Sequence, residues 1–141
     1  MSSTQVNGRK VVVKHPASVL FSLFSDLNNF TRNLPSDFQN KTDIKSTSDT
    51  LLANVNGFEI GLKVEEQTPF SSIKYVQYGK SPISFTFWLF LNSINDEETE
   101  FHLELDAELS GIYKMMLGGK LQEMIDKVTE ELEKSLSGMM L

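Results

Sequence analysis

The chain contains no cysteine, so no disulfide can brace it. That absence fits a reducing compartment. It has two histidines, His15 and His102, and no cluster of His, Cys, Asp and Glu at metal-ligand spacing. Neither a metal nor another cofactor is therefore expected. Long apolar runs are also missing. The richest stretch, residues 83–91 (ISFTFWLFL), is far shorter than the ~20 residues of a membrane-spanning helix. The opening MSSTQVNGRK lacks the apolar core of a secretory leader. We expect a cytoplasmic protein with no membrane span. Basic residues are few and scattered: 13 Lys and Arg stand against 19 Asp and Glu, for a net charge of −6. A nucleic-acid partner needs clustered cations, so none is expected. No Gly-rich phosphate loop occurs, since Leu117-Gly118-Gly119-Lys120 lacks the required pattern.

What is present is patterning. A length of 141 residues predicts one domain spanning 1–141. The spacing predicts a strand over 9–14, then a helix over 16–25 opened by Pro16, whose missing N–H costs nothing there. Val19, Leu20, Leu23, Phe24 and Leu27 share its apolar face. A second short helix over 26–33, capped by Ser25 or Asp26, ends at Leu34-Pro35. Strands follow over 43–48, 51–55, 58–68, 72–79, 84–93 and 99–109. Asn56-Gly57 has the chemistry of a type I′ hairpin turn and predicts a positive φ at Gly57. In the last strand Phe101, Leu103, Leu105, Ala107 and Leu109 alternate with Glu100, His102, Glu104, Asp106 and Glu108. Thr86, Trp88 and Phe90 oppose the inward Phe85, Phe87, Leu89 and Leu91.

The chain closes on one long amphipathic helix over 117–136. Leu117, Leu121, Met124, Ile125, Val128, Leu132 and Leu136 form its apolar stripe. Ile112, Met115 and Met116 fall out of phase with that stripe, and Gly118-Gly119 marks the change. A strand, two short helices, a run of strands and a closing helix predict an α+β protein. Its curved seven-stranded antiparallel sheet would grip the C-terminal helix.

Several segments carry a family resemblance: His15-Pro16-Ala17 after a strand, Leu23-Phe24-Ser25-Asp26-Leu27, Leu34-Pro35, Phe85-Thr86-Phe87 and the final amphipathic helix. Phe30 stands where an aromatic residue is common in that family. The chain resembles the START-related, birch-pollen-allergen-like (SRPBCC, helix-grip) superfamily over nearly its whole length. These are packing motifs and identify a fold rather than a reaction. The resemblance implies a cavity between sheet and closing helix. The family includes lipid and hormone binders, polyketide cyclase/dehydrase enzymes and co-chaperone domains.

The candidate ligand-binding set is the inward apolar one: Phe58, Ile60, Leu62, Phe85, Phe87, Phe101, Leu103, Leu117 and Leu121. Tyr75, Tyr78, Thr86, Tyr113 and Arg32 are candidates for polar contacts. A filled core is the plain alternative. His102 is expected at the surface, His15 partly exposed, and the acidic row of the last strand as a solvated face. No acid–base pair converges in the sequence, so no catalytic residue is assigned. The expected function is non-catalytic binding of a small apolar or amphipathic molecule. A cyclase/dehydrase-like enzyme is the runner-up. A protein-interaction module or homodimer, built on exposed Trp88, Phe90, Met115 and Met116, is the third reading.

Overall fold

A computed structural model describes residues 3–28, 43–55, 58–79, 83–109 and 111–137. In chain order its elements are β1 (Ser3–Asn7), β2 (Val11–Val13), α1 (Ala17–Ser25), β3 (Asp43–Ser46), β4 (Thr50–Val55), β5 (Phe58–Thr68), β6 (Ser72–Gln77), β7 (Ser84–Ser93), β8 (Thr99–Glu108), α2 (Ile112–Leu117) and α3 (Leu121–Ser137). The protein is α+β, with the helix-grip arrangement. One antiparallel sheet runs β1-β8-β7-β6-β5-β4-β3, and β2 also pairs with β8. The sheet curls around α3, which packs on β1, β2 and β8, while α1 packs on β6 and β7.

The N-terminal edge differs from the expected single strand over 9–14. It is broken in two, with Ser3–Asn7 as an additional strand. Asn7 faces Glu104 and Val11 faces Phe101, so three residues on one side, 8–10, stand against two on the other, 102 and 103. Gly8 lies in this break, and its N–H donates to the Leu103 carbonyl at 2.7 Å. A Cβ at Gly8 would sit 2.8 Å from the Thr129 hydroxyl oxygen. The break thus lets the helix approach the sheet where only glycine fits.

The closing helix is shorter than the stripe suggested. It begins at Leu121, and Ile112–Leu117 form a separate turn of helix. The glycine pair at the phase change is where the two separate. Leu121, Ile125, Leu132 and Leu136 are buried as the periodicity predicts. Met124 is not: it is nearly half exposed. Thr129 takes the inward position instead, its hydroxyl donating to the Ile125 carbonyl at 2.8 Å. That bond satisfies the hydroxyl without a water, so a polar residue sits in the core at small cost.

Four contacts fasten α3 along the N-terminal segment. Gln122 Nε2 donates to the Asn7 carbonyl at 2.9 Å. Thr129 abuts Gly8. Arg9 pairs with Glu133 at 2.6 Å, an exposed pair whose hydrogen bond raises the Arg9 pKa. Solvent screening leaves such a pair little weight. The fourth is His15, which is buried rather than partly exposed. Its Nε2 lies 2.7 Å from the Leu136 carbonyl, one of the helix-terminal carbonyls without an intrahelical partner. Thr99 Oγ1 donates to the His15 carbonyl at 2.8 Å.

α1 starts one residue later than expected, with Pro16 as its cap; the Pro16 carbonyl accepts from Val19 and Leu20. Leu20, Leu23, Phe24 and Leu27 are buried. Asp26 Oδ1 accepts the Asn28 N–H at 2.9 Å, the Asx contact expected at the start of a second helix. The rest of that helix, with Phe30, Arg32 and Leu34-Pro35, lies outside the described residues. So does the Asn56-Gly57 turn, although β4 ends at Val55 and β5 begins at Phe58 with those two residues paired.

Candidate ligand-binding face

Cross-strand pairing places the inward side chains in rows across the concave sheet face. Three rows are closed. They are Val13 with Thr99; Leu91, Phe101 and Val11; and Ile73, Leu89 and Leu103. All eight residues are buried, with Phe101 0 % and Leu103 1 % exposed. A side chain lining a space large enough for water keeps accessible surface. These two therefore sit in filled core.

The next two rows are different. Val64, Tyr75, Phe87, Leu105 and Val6 form the fourth row. Leu62 and Gln77 stand in the fifth, with Phe85 and Ala107 alongside. Here Tyr75, Leu105 and Ala107 are buried, but Leu62, Val64, Phe85 and Phe87 are only partly so. The helices explain the gradient. α1 follows directly on β2 and covers the closed end. α3 hugs the β1–β2–β8 side, away from β4 and β5. α2, with its flanking glycines, lies where β8 leaves the open end.

Of the residues predicted to line a site, Leu62, Phe85 and Phe87 come together on this partly open surface. Phe101, Leu103 and Leu121 are packed on all sides, Leu121 under the start of α3. Phe58 and Ile60 occupy β5 opposite Val55 and Ala53, and Leu117 ends α2; their side chains lie outside the described residues. Among the polar candidates, Tyr75 is committed elsewhere. Its hydroxyl donates to the Phe24 carbonyl at 2.6 Å, tying α1 to the sheet, and burial pushes its pKa up from 10.0. Thr86 pairs with Asp106 and Val76 on the outer face. Tyr78 is exposed beyond the end of β6, and Tyr113 packs partly against the core. Gln77 was not singled out in the sequence. Its register partner Leu62 turns inward, and that pairing is the signal that places Gln77 on the same face.

The outer face is more ordered than its sequence suggests. Trp88 and Phe90 are half-buried rather than exposed. Their rings stack at 5.6 Å and 9°, and Phe90 stacks on His102 at 5.1 Å. Lys74 Nζ sits 5.3 Å from the Trp88 ring, and His102 Nε2 lies 2.9 Å from Glu104. Their ring faces are occupied by one another. The closed end also carries an open groove bordered by Lys14, His15, Pro16 and residues 95–98, at the far end of α3 from Leu121. Among the described residues no helix is long and apolar enough to cross a membrane, and no group of His, Cys, Asp and Glu could hold a metal ion.

No family model and no curated protein matches the chain. Solved structures do. Norcoclaurine synthase from Thalictrum flavum, solved with dopamine and hydroxybenzaldehyde, superposes with a TM-score of 0.71 at 10% identity. The match covers 96% of this chain and 85% of that one. A START superfamily protein from Mycobacterium smegmatis gives a TM-score of 0.62 at 18% identity, over 95% and 94% of the two chains. The di-domain ARO/CYC protein BexL of the BE-7585A biosynthetic pathway gives 0.66 at 16% identity. There the match covers 97% of this chain and 45% of BexL, less than half its length. At these identities the likeness is one of backbone alone, and it agrees with the sheet order and the gripped helix: the chain has the START-related, birch-pollen-allergen-like helix-grip fold.

Proposed function

We propose that the protein binds a small apolar or amphipathic molecule, without catalysis, on the concave face between the sheet and its C-terminal helix. One observation carries the reading. Inward apolar side chains at the open end, Leu62, Phe85 and Phe87 foremost, keep accessible surface while the rows behind them are sealed. Partly open apolar surface inside a curved sheet is the usual material of a ligand site. A neighbour of the same fold that holds two small aromatic molecules supports a small ligand here. A cyclase-type reaction needs an acid or base facing the substrate. Tyr75, the phenol set deepest in this face, is engaged with α1, so the binding reading is preferred to the enzymatic one.

An environment-sensitive apolar dye tests it. Wild-type protein should bind one dye per chain, and Leu62→Trp should weaken that binding several-fold while the protein stays folded. No saturable binding, or equal binding by folded Leu62→Trp, would overturn the reading. A docking role for α2 would then lead, because Ile112 and Met116 are exposed and Met115 is 87 % exposed. Native mass spectrometry would show such a role as a dimer or a captured chain.

A further inference from the structure

Among the described residues the open end of the concave face is apolar except for Gln77 and, towards its two edges, Thr4 and Ser46, and Gln77 is held in a defined pose. Leu62 and Gln77 are cross-strand partners, and partners share a face of the sheet. Leu62 packs against the core, so Gln77 also turns inward. The amide nitrogen Nε2 donates to the Gly79 carbonyl at 2.9 Å. A carbonyl can only accept, so this contact fixes which way round the amide lies. The turn that presents Gly79 is itself fixed. Gly79 has φ +79°, in the left-handed region that favours glycine, and the Tyr78 N–H donates to the Gly61 carbonyl at 3.0 Å. A Cβ on Gly61 would lie 2.0 Å from the Tyr78 carbonyl oxygen, so glycine at that position is what lets the two strands meet there.

The other corner of the same amide, Oε1, meets no donor among the described residues. It is a pre-oriented acceptor at the rim of an apolar surface. The geometry points to Gln77 Oε1 as the residue that selects the polar end of the ligand: an amphipathic molecule whose head group donates a hydrogen bond, with its apolar body lying over Leu62, Phe85 and Phe87. This rests on the binding reading above and sharpens it from any apolar molecule to one with a hydroxyl or N–H terminus. A carbonyl acceptor repels a carboxylate or a bare ether oxygen, so discrimination comes as much from rejecting acceptors as from welcoming donors.

Decanol and its methyl ether, which differ in the donor, test this by displacing the bound dye. Wild-type protein should be cleared of dye by decanol at about 2- to 10-fold lower concentration than by the ether, the range one neutral hydrogen bond supplies. Gln77→Met keeps the length of the side chain and removes the acceptor. It should bring the two competitors together by weakening decanol and strengthening the ether. Circular dichroism melting serves to show that the variant is folded. If Gln77→Met unfolds, Gln77→Leu, which also removes the acceptor, should lose the preference for the alcohol. Dye binding without an alcohol preference in wild type, or a preference that survives in Gln77→Met, would overturn the role of Gln77 while leaving the binding site in place. No dye binding at all would remove both.

Discussion

The two ends of the concave face are built from the same residue types and pack differently. At the closed end Phe101 lies between Leu91 and Val11 and has no contact with solvent. At the open end Phe85 lies beside Ala107 on the same pair of strands and stays partly accessible. Strand alternation is equally clean around both. The difference comes from what lies over them. α1 and the last turns of α3 converge on the closed end, and His15 ties the two layers together through Leu136. At the other end the chain breaks into α2, Gly118-Gly119 and α3, and among the described residues no long helix crosses β4 and β5. One end is sealed core, and the other keeps accessible apolar surface.

The largest expected effect breaks this comparison at its root. Phe101→Ala removes a fully enclosed ring and should destabilise the fold by about 3–5 kcal/mol. Phe85→Ala, the matched change at the open end, should cost less than half as much, because its ring is only partly withdrawn from water. Urea unfolding of the two variants measures the ratio. Equal losses would mean that the ends are equally packed.

A smaller effect is expected where α3 meets the broken edge strand. Gly8→Ala presses a methyl group against Thr129 and should cost about 1–3 kcal/mol by overpacking. Thr129→Ala beside it removes the hydroxyl that the new methyl group meets and should recover part of the loss. A Gly8→Ala protein as stable as wild type would show that the helix does not bear on the strand there.

The smallest effect concerns the tie between α1 and the sheet, and it depends on pH. Burial raises the Tyr75 pKa above the ordinary 10.0 in the folded protein. An unfolded chain ionises this phenol near pH 10, while the folded one keeps its proton. Folding stability from this group is therefore fully present below pH 10 and falls as pH rises beyond it. Tyr75→Phe should lose about 0.5–1.5 kcal/mol near neutrality through the missing bond to Phe24. It should also show a shallower decline in melting temperature above pH 10 than wild type. Parallel declines would place the phenol in water.

Some of this was legible along the chain. The alternation of Phe101, Leu103, Leu105, Ala107 and Leu109 fixed which face of β8 is inward, because side chains of a strand alternate without exception of residue type. The stripe Leu121, Ile125, Leu132 and Leu136 fixed the buried side of α3, and Gly118-Gly119 marked where the helix breaks. The first strand, Ser3–Asn7, was missed because STQVN carries one large apolar residue; its pairing with β8 supplies what its own pattern does not. Met124 was misjudged because helical phase puts it at the edge of the stripe, where no described residue fully covers it. Thr129 was passed over because it is polar, although its phase is inward and Gly8 leaves room for it.

Periodicity and turn chemistry, which act between near neighbours, let the sequence alone determine the strands after the first helix, the inward faces of β7 and β8 and the grip of a closing helix. Burial depends on what arrives from elsewhere in the chain. Only the tertiary structure decided that His15 is sealed against Leu136, that Tyr75 is spent on α1, and that Phe85 and Phe87 are left partly open while Phe101 is enclosed. Each of those outcomes is set by a partner far away in sequence, at a distance that no local pattern encodes.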